Sequence, residues 1–404
     1  MDKIIIVLVG LPARGKSYTS NNLCRFLNWC GLNTKVFNCG DYRRKLLGGF
    51  QDANFFDFTN KDNFDKKEEV SKLCFKDLLF WLDTKGDIAI FDATNSNKLR
   101  RKYLIDNARS YKDKLLFIEL ISNDEVIIKN NLNLKFKSPD YLNRDKQFAF
   151  NDFNKRLEFY NESYETIDDN ENLRYIKIIN FTEKLLINNV IGVNESLIMS
   201  YLMNLRLNKH PIYITRHGQS ENNVKRIIGG DPDITEEGKI YAVKLHEYIN
   251  KEIKDEFIIF TSCLKRTKQT AKHFTQKKIE SRLLNEIHGG ICENLSYDEI
   301  EEKYPNITTD RKKDKLRFRY PQGESYLDLL ERLRYFVLQL TSYNKPILIV
   351  AHNAIIKVLL GYFEEKKHED IPHSDIDLNT VIKLTPNSKN YDIEYKNLVN
   401  DIKN

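Results

Sequence analysis

Short apolar runs recur along the chain, and longer charged segments with helical spacing separate them. The first run, residues 3–9, is apolar without alternation, which is typical of a parallel strand covered on both faces. Further runs in the first half lie at residues 34–38, 88–91, 115–120 and 175–179. Because strands and helices alternate, the pattern predicts right-handed crossovers and a mainly parallel sheet.

A second series of apolar runs follows in the other half of the chain. It predicts strands at residues 212–215, 257–260, 347–350, 380–384 and 392–395. A basic stretch that ends in Pro211 lies between the two series, so we place the domain boundary near Lys209. We therefore predict two α/β domains, residues 1–208 and 209–404, and the length of 404 residues favours the same division.

Composition excludes several classes of protein. Hydrophobic residues make up 41% and charged residues 30% of the chain, which is typical of a folded globular protein. The net charge of +6 is spread too thinly over 404 residues to indicate nucleic-acid binding. The sequence contains no run of 18 apolar residues, and its six cysteines form no CxxC pair. We therefore expect no membrane contact and a cytoplasmic location.

A phosphate-binding loop follows the first predicted strand. Residues 10–17 read GLPARGKS, which fits GxxxxGK[ST], and a helix pattern continues over residues 17–29. In such a loop backbone N–H groups cradle phosphate oxygens, Lys16 reaches the β- and γ-phosphates, and the Ser17 hydroxyl can ligate Mg²⁺.

A nucleotide site also needs a carboxylate near the metal, and Asp92 stands at the end of a predicted strand. Its alternative role is to cap a helix that starts near Asn97. The basic candidates for binding a second, anionic substrate are Arg43, Arg44, Lys135 and Arg156, the last with Tyr160 at i, i+4 spacing. Each of these alone is more often a solvated surface charge. The residues themselves therefore predict a phosphotransferase whose acceptor is unknown.

Two histidines follow strands of the second half. His217 lies in TRHGQSEN and His352 in VAHNA, and the carboxyl ends of strands in one sheet meet at one edge. A neutral histidine is a nucleophile toward phosphorus, and Arg216 and Arg266 would neutralise the phosphoryl oxygens. Glu286 is the predicted proton donor. A satisfied structural histidine is the alternative for His217, but the whole set favours a phosphoryl-transfer site.

Taken together, the motifs resemble the bifunctional 6-phosphofructo-2-kinase/fructose-2,6-bisphosphatases along almost the whole chain. The motifs that occur in that family's order are GLPARGKS, GDYRR, FDATN, SPDY, KRLEFY, YLMN, RHG, IGGD, RFRYPQGESY and AHNA. The resemblance implies a P-loop kinase domain that makes fructose 2,6-bisphosphate from ATP and fructose 6-phosphate. It also implies a phosphoglycerate-mutase-like histidine phosphatase domain that removes the 2-phosphate through a phosphohistidine, and hence control of glycolysis and gluconeogenesis.

The resemblance assigns roles in the kinase half to particular residues. The ATP-binding residues are Gly10, Arg14, Gly15, Lys16, Ser17, Tyr18 and Asn131. The fructose 6-phosphate residues are Arg43, Arg44, Thr94, Lys135, Arg156 and Tyr160. Ser17 and Asp92 would hold Mg²⁺, and Lys16 and Asp92 would be catalytic. A homodimer through the kinase domains is also implied.

In the phosphatase half the resemblance assigns catalysis to His217, Glu286, His352, Arg216 and Arg266. The residues that would contact fructose 2,6-bisphosphate are Asn223, Gly229, Tyr297, Arg311, Lys315, Tyr326, Asn353 and Lys357.

The chain departs from the family pattern at several positions of the phosphatase half. Gln219 replaces Glu, His288 replaces Asp, Asn353 replaces Gln and Lys357 replaces Arg. A shorter amide and a point charge in place of a planar fork should hold sugar and phosphate less firmly. The alternative hypothesis is therefore a monofunctional kinase with a weakened or inactive phosphatase domain. In the kinase half Ser122 replaces a Cys, and we expect a mild effect.

A third hypothesis is a nonenzymatic nucleotide or nucleic-acid binder, which only the basic runs 98–102 and 311–319 favour. A solvated helix face explains the first run better, and a clamp for the 6-phosphate explains the second, so we predict no nucleic-acid binding. Because the chain begins two residues before its first strand and ends soon after its last, we expect no phosphorylated regulatory extension.

Overall fold

The computed structural model describes residues 3–124, 128, 131–132, 136, 140–141, 144–181, 183–206, 209–387 and 390–399 of the chain. The chain forms two compact units, and the division falls after Leu205. Each unit is an α/β structure with its own sheet, as the sequence predicts. Among the described residues, no helix is both long and apolar enough to cross a lipid bilayer.

A six-stranded sheet lies at the centre of the first unit, in the order β2-β3-β1-β4-β5-β6. Its strands are β1 Ile4–Val9, β2 Thr34–Asn38, β3 Ile88–Asp92, β4 Leu115–Ile121, β5 Tyr175–Ile179 and β6 Lys184–Asn188. Strands β1 to β5 pair in parallel, and β6 pairs antiparallel with β5. Every residue of β1 is buried between β3 and β4, which explains why its apolar run has no alternation.

The described helices of the first unit are α1 Lys16–Trp29, α2 Cys39–Leu47, α3 Lys61–Thr84, α4 Lys98–Asn107, α5 Lys146–Glu162 and α6 Val193–Asn204. On α3 the side chains of Phe75 and Leu78 are buried in one core cluster with Val7 and Phe91 of the sheet. The side chain of Asn97 caps α4 by accepting a hydrogen bond from the N–H of Arg100. Asn97, rather than Asp92, is therefore the cap of this helix.

The second unit also has a six-stranded sheet, in the order β12-β11-β7-β10-β8-β9. Its strands are β7 Ile212–Arg216, β8 Ile258–Thr261, β9 Lys278–Glu280, β10 Ile347–Ala351, β11 Thr380–Pro386 and β12 Tyr391–Asn397. Strand β10 pairs in parallel with β7 and β8, so the carboxyl ends of these three strands share one edge. The antiparallel strands β11 and β12 extend the sheet beyond β7.

The described helices of the second unit are α7 Glu221–Val224, α8 Glu236–Glu252, α9 Lys265–Thr270, α10 Tyr297–Lys303, α11 Pro305–Lys313, α12 Tyr326–Thr341 and α13 Asn353–Phe363. Two of them start directly after strands of the shared edge. α13 begins two residues after β10, and α9 begins four residues after β8. Both helix N-termini therefore lie beside the strand ends that carry the predicted site.

Two edge strands, β6 and β9, were not predicted from the sequence. The side chains of β6 are exposed or half-buried, and β9 has three residues with the same character. A strand at the edge of a sheet needs no continuous apolar run, so the hydrophobic pattern carries little signal there.

Two candidate active sites

The phosphate-binding loop connects β1 to α1 in the first unit. Gly10 has φ +138° and Gly15 has φ +85°, and such values favour glycine. A Cβ atom on Gly10 would lie 2.5 Å from the carbonyl oxygen of Leu120, and one on Gly15 would lie 2.4 Å from the ring of Phe181. Both glycines are therefore required for the loop to curl at the N-terminus of α1, where N–H groups and the helix dipole attract an anion.

Lys16 begins α1 and folds back over the loop. Its Nζ donates hydrogen bonds of 2.7 Å to the carbonyl oxygens of Gly10 and Leu11, and the residue is buried. The loop is also fixed from outside, because Asn131 Nδ2 donates to the carbonyl oxygen of Ala13 at 3.0 Å. This arrangement places the Lys16 ammonium group against the carbonyl groups of the loop, and its contact with the ATP phosphates stays a prediction.

Two more predicted ATP-binding residues belong to this region. Arg14 lies in the loop, where its Nη1 is 3.4 Å from the carbonyl oxygen of Pro12. Burial lowers the pKa of Arg14. Tyr18 follows Ser17 on α1 and is half-buried.

Asp92 ends β3, next to β1, and is almost fully buried. Its Oδ2 accepts a hydrogen bond of 2.7 Å from the Ser17 hydroxyl and a further one from Nδ2 of Asn38. A carboxylate and a hydroxyl oxygen this close together suit a hard divalent cation. Among the described residues no group of three or more His, Cys, Asp or Glu side chains could hold a metal alone. A cation here would therefore need nucleotide or water oxygens as well, as Mg²⁺ usually does.

Basic side chains form a cradle on α2 and α5. Arg43 Nη2 lies 2.6 Å from Asp140 Oδ1, and Arg44 Nη1 lies 3.2 Å from the same oxygen. Nε and Nη1 of the buried Arg43 have no hydrogen-bond partner among the described residues, and neither has Nε of Arg156. Burial is the main cause that lowers the pKa of Arg43, and the Asp140 carboxylate opposes it. Buried N–H donors without partners are suited to bind an anion.

Aromatic rings complete this cradle. The guanidinium carbon of Arg156 lies 3.6 Å from the centroid of the Phe56 ring, and that of Arg43 lies 5.5 Å from it. The ring of Tyr160 packs against Phe56 and Phe58 at centroid distances of 6.0 and 5.7 Å. The structure therefore brings Arg43, Arg156 and Tyr160 together on one apolar cluster.

The other two residues predicted for this cradle are Thr94 and Lys135. The carbonyl oxygen of Thr94 accepts a hydrogen bond from the N–H of Gly10 at 3.0 Å, so Thr94 adjoins the phosphate-binding loop. Lys135 lies outside the residues that the structure describes.

His217 follows β7 in the second unit, and its side chain is held in one tautomer. Nδ1 lies 2.8 Å from the carbonyl oxygen of Gly218 and therefore carries the proton. Nε2 then has a lone pair, toward which Nε of Arg266 donates at 3.2 Å. Burial, and next the Arg266 charge, lower the pKa of His217 to about 3. The ring is therefore neutral and nucleophilic at Nε2 near neutral pH.

His352 and Arg216 lie close to His217, and Arg266 contacts its Nε2. The rings of His217 and His352 have centroids 5.1 Å apart. Arg216 donates to the carbonyl oxygen of Ile376 at 2.9 Å, and its Nε has no partner among the described residues. Arg266 also donates to the carbonyl oxygen of Gly230 at 2.8 Å. Two guanidinium groups beside two neutral imidazoles form a pocket for an anionic, tetrahedral group.

Glu286 lies at the N-terminus of α13. Its Oε1 accepts hydrogen bonds from the N–H groups of Ile287 at 3.0 Å and Ala354 at 3.2 Å. Burial raises the pKa of Glu286, although Arg266 and Arg216 oppose the change. A carboxyl group that holds its proton to higher pH can act as a general acid beside the histidines.

Two lysines converge on one carbonyl group near this pocket. Nζ of Lys315 and Nζ of Lys357 donate to the carbonyl oxygen of Pro372 at 2.9 and 3.2 Å. Burial, and next the charge of Lys357, lower the pKa of Lys315 to about 8. The positive charge of Arg311 further lowers the pKa of both lysines. The three cations form a second candidate anion site.

The remaining predicted contacts of the second unit differ in burial and in hydrogen bonding. Tyr326 is buried and Tyr297 is about half exposed. Asn353 begins α13, and its Oδ1 has no hydrogen-bond partner among the described residues. Oδ1 of Asn223 accepts from the N–H of Ser220, the N-cap residue of α7, and so completes a capping box. Gly229 has φ +67°, and a Cβ there would collide with the Glu293 carboxylate.

The departures from the family pattern are accommodated locally. Gln219 Oε1 accepts a hydrogen bond from the Thr235 hydroxyl at 2.8 Å. Nδ1 of the exposed His288 accepts one from the N–H of Gly290 at 3.1 Å. Gln219 therefore joins its loop to the start of α8, and His288 stabilises its own loop. In the first unit, the buried Ser122 hydroxyl has no partner among the described residues.

Several site residues were missed by the sequence analysis. In the first unit these are Asn38, Asp140 and Phe56, and in the second Ser262, Thr270 and Arg332. Thr270 Oγ1 accepts from the N–H of Gly218 at 2.9 Å, and Arg332 donates to the carbonyl oxygen of Asn285, beside Glu286, at 2.6 Å. For Asn38 the signal was available, because it ends β2 at the edge where Asp92 ends β3.

Family models match both halves of the chain. The model of 6-phosphofructo-2-kinase matches residues 1–209, and the model of the histidine phosphatase superfamily (branch 1) matches residues 212–399. A 6-phosphofructo-2-kinase/fructose-2,6-bisphosphatase 4 from Macaca fascicularis is 39% identical over 95% of this chain and 82% of its own length. The 6-phosphofructo-2-kinase/fructose-2,6-bisphosphatase of Arabidopsis thaliana is also 39% identical, over 94% of this chain. That match spans 52% of the plant protein, so this chain corresponds to about half of it.

Among solved structures, the α-ribazole phosphatase from Shigella flexneri covers 46% of this chain and 96% of its own, with 20% identity and a TM-score of 0.43. The relationship is established instead by the family model over the first half and by the macaque relative, most of whose length is matched at 39% identity. On these grounds the chain belongs to the 6-phosphofructo-2-kinase/fructose-2,6-bisphosphatase family.

Proposed function

We propose that residues 1–208 are a 6-phosphofructo-2-kinase domain and residues 209–404 a fructose-2,6-bisphosphatase domain of one bifunctional enzyme. The first domain transfers the γ-phosphoryl group of ATP to the 2-hydroxyl of fructose 6-phosphate. The second hydrolyses fructose 2,6-bisphosphate back to fructose 6-phosphate. The observation that carries the proposal is the His217 imidazole, neutral, with Arg266 at its Nε2 lone pair and the charge of Arg216 nearby, in the same chain as a complete phosphate-binding loop.

In the kinase domain the N–H groups at the start of α1 and the ammonium group of Lys16 bind the β- and γ-phosphates of ATP. Arg14, Tyr18 and Asn131 hold the loop and the nucleotide around them. Ser17 and Asp92 would hold Mg²⁺, which supplies charge neutralisation on the phosphates when it is bound. Asn38 and Ser17 keep the Asp92 carboxylate in place through their hydrogen bonds.

The cradle on α2 and α5 binds fructose 6-phosphate. Arg43 and Arg156 bring buried N–H donors without partners among the described residues, and an arriving phosphate would satisfy them. Asp140 holds the guanidinium groups of Arg43 and Arg44 in position. Transfer to a sugar hydroxyl depends mainly on positioning and charge neutralisation, and this cradle supplies both. Thr94, Lys135 and Tyr160 remain predicted contacts of the sugar.

In the phosphatase domain Nε2 of His217 attacks the phosphorus of the 2-phosphate, and the bond to the sugar oxygen breaks. Glu286 gives its proton to that departing oxygen and then accepts one from the water that hydrolyses the phosphohistidine. Arg216, Arg266 and His352 neutralise the phosphoryl oxygens as charge develops on them.

The other end of the sugar meets the second group of cations. Arg311, Lys315 and Lys357 bind the 6-phosphate, since they place three positive charges close together. Asn223 helps to hold the phosphoryl group, and the remaining predicted contacts of the substrate are Gly229, Tyr297, Tyr326 and Asn353.

The monofunctional alternative has no support in the site. The imidazole, arginine and carboxyl groups of the phosphatase pocket are all present, and family models match both halves. Of the residues that depart from the family pattern, Gln219, His288 and Lys357 each have a hydrogen-bond partner in the described structure. We also expect no nucleic-acid binding, because the basic run 311–319 contributes to the anion site described above.

We propose a homodimer through the kinase domains. The strand β6 ends the sheet of the first unit and presents Leu186 and Ile187 with 39% and 46% of their surfaces exposed. An edge strand of this kind can pair with a second chain.

None of the six cysteines, all of which are described, is in a disulfide, which supports a reducing, cytoplasmic location.

A time course of fructose 2,6-bisphosphate tests the bifunctional proposal. Purified protein is incubated with fructose 6-phosphate, Mg²⁺ and a limiting amount of ATP. We expect the product to accumulate while ATP lasts and to decay afterwards to fructose 6-phosphate and phosphate. Product that never decays would contradict the phosphatase assignment, and absence of product would contradict the kinase assignment.

A further inference from the structure

A chain of buried hydroxyl groups lies behind His352. Nε2 of His352 is 2.8 Å from the Ser262 hydroxyl oxygen, which is 2.9 Å from the Thr267 hydroxyl oxygen. Thr267 in turn donates to the carbonyl oxygen of Leu264 at 2.9 Å, and the N–H of Leu264 lies 3.2 Å from the Ser262 oxygen. The side chains of His352, Ser262 and Thr267 have no exposed surface.

One arrangement of the protons satisfies all four of these contacts, and in it the Thr267 hydroxyl also lies 3.2 Å from the carbonyl oxygen of Ser262. The carbonyl oxygen of Leu264 can only accept, so the Thr267 proton points to it. Thr267 then accepts the Ser262 proton, and Ser262 is left to accept from Nε2–H of His352. Every short contact now holds one proton, and the Ser262 oxygen accepts two hydrogen bonds and donates one, which fills its capacity. The reverse direction would leave the contact between Thr267 and Leu264 without a proton.

These hydroxyl groups contact only Nε2 of His352, and its other ring nitrogen has a different environment. Nδ1 is buried and has no hydrogen-bond partner among the described residues. Burial lowers the pKa of His352 well below its ordinary value, with Arg266 and His217 as the next causes. The ring is therefore neutral in the ligand-free protein, with a lone pair at Nδ1.

We propose that Ser262 and Thr267 are positioning residues that hold the His352 proton on Nε2, so that Nδ1 accepts a proton when a phosphoryl group enters the pocket. This inference rests on the proposed phosphatase function. A lone pair would repel a phosphoryl oxygen, whereas an N–H group donates to it. The proton comes from solvent when the dianionic phosphate binds, or from the phosphate itself when the monoanion binds, and His352 becomes an imidazolium in either case.

The charged groups around the His352 ring are consistent with a protonation state that changes when the ligand binds. Arg216 and His217 at the end of β7, Arg266 on α9 and Arg332 on α12 all disfavour an imidazolium in the ligand-free protein. The carboxyl group of Glu286 near the start of α13 holds its proton to higher pH, so its negative charge offsets these positive charges less. Two negative charges on a bound phosphate would reverse this balance and favour the protonated ring.

Nitrogen NMR on the full-length protein with labelled histidine tests the tautomer directly. We expect the ligand-free protein to show a neutral His352 with the proton on Nε2, and saturating inorganic phosphate to convert it to the imidazolium. A ligand-free His352 with its proton on Nδ1 would overturn the proposal, and so would a neutral ring in the phosphate complex. The ligand-free spectrum needs no phosphatase activity, so this test can succeed where the proposed function fails.

The variant Thr267→Val removes the acceptor for the Ser262 proton while keeping the shape of the side chain. Ser262 should then donate to Nε2, and the His352 proton should move to Nδ1. We expect phosphatase activity to fall about 10- to 100-fold, the scale known for loss of the hydrogen-bond partner of a metal-bound histidine. Calorimetry at pH 7.5, in two buffers of different ionisation enthalpy, should show that inorganic phosphate binding takes up fewer protons than in the wild type.

The matched control is Thr261→Val. Thr261 is buried one residue before Ser262, and its hydroxyl has no hydrogen-bond partner among the described residues. This control should keep the wild-type tautomer, proton uptake and activity, and Thr267→Ser should restore all three. Equal behaviour of Thr267→Val and Thr261→Val would overturn the role of the chain. If Thr267→Val does not fold, the wild-type spectra still decide the tautomer.

Discussion

At the scale of single residues, the charge state of each side chain determines what it can do in the pocket. Burial and Arg266 lower the pKa of His217 to about 3, so the imidazole is neutral and its Nε2 can attack phosphorus. Glu286, which interacts electrostatically with Arg266 and Arg216, has a raised pKa. One pocket thus keeps its nucleophile unprotonated and lets its acid hold a proton to higher pH than usual, which is the division of roles that phosphoryl transfer through histidine requires.

The variant Glu286→Gln tests the acid. We expect phosphatase activity to fall by roughly 10²- to 10⁴-fold, because the amide can neither give nor accept the proton. Wild-type activity should decline as pH rises through the raised pKa of Glu286, since the acid is then ionised. The variant should lose this alkaline decline. A pH–rate profile of both proteins, with Glu286→Gln compared against the exposed Glu301→Gln, measures the effect.

The same substitution has an opposite effect on stability. A carboxyl group whose pKa is raised by folding contributes stability below its unfolded pKa, and this contribution is lost as pH rises through its folded pKa. Glu286→Gln should therefore raise the melting temperature near pH 8 and leave it unchanged near pH 4. Equal melting temperatures of the variant and the wild type at pH 8 as well as at pH 4 would show that folding does not raise the pKa of Glu286.

Lys16→Met tests the phosphate-binding loop. Removing the ammonium group should lower kinase activity by about 10²- to 10³-fold, the scale on which one preorganised charge contributes to a transition state. Phosphatase activity of the same preparation should not change. Lys66→Met is the control, because Lys66 is an exposed residue of α3. A kinase rate that tolerates Lys16→Met as well as it tolerates Lys66→Met would contradict the assignment.

At the scale of elements, the junction of β1 and α1 depends on glycine. Gly15→Ala would place a Cβ 2.4 Å from the Phe181 ring at φ +85°. We expect this change to displace the loop and to abolish most kinase activity. The control is Gly48→Ala, at φ +88°, where a Cβ meets no atom within 4 Å. It adds backbone strain of about 1–3 kcal/mol without a collision, so it should lower the melting temperature but keep most kinase activity.

Elements with a strong pattern could be predicted from the sequence, and their sites followed from them. β1 and α1 were predicted because a doubly buried strand must be apolar throughout and because GLPARGKS has a defined backbone path. Asp92 and the two histidines were found because strand ends of a parallel sheet meet at one edge. The edge strands β6 and β9 were missed because their side chains face solvent.

Contacts between distant segments could not be predicted in this way. The Ser262 hydroxyl meets His352 across 90 positions of sequence, and Asp140 meets Arg43 across 97. Nothing in the local sequence distinguishes these polar residues from others on loops. Their role depends on burial beside a charged or titratable group, which only the packed structure establishes.

At the scale of the whole molecule, the proposed homodimer can be tested at β6. Ile187→Lys would place a charge on an edge that is proposed to pair with a second chain, and charges on edge strands oppose such pairing. We expect the variant to sediment as a monomer at concentrations where the wild type is a dimer. Val243→Lys, at an exposed position of α8 in the second unit, is the control. An unchanged dimer in both variants would contradict a contact through β6.

The central claim is that one chain contains two separate phosphoryl-transfer sites, and it is tested most directly by trapping the histidine intermediate. The Lys16→Met variant is mixed with fructose 2,6-bisphosphate labelled in its 2-phosphate and quenched within milliseconds in base, and the labelled peptide is identified by mass spectrometry. We predict one phosphohistidine, at His217, and no label in the double variant with His217→Ala. A label on another residue, or hydrolysis that continues without His217, would contradict the account.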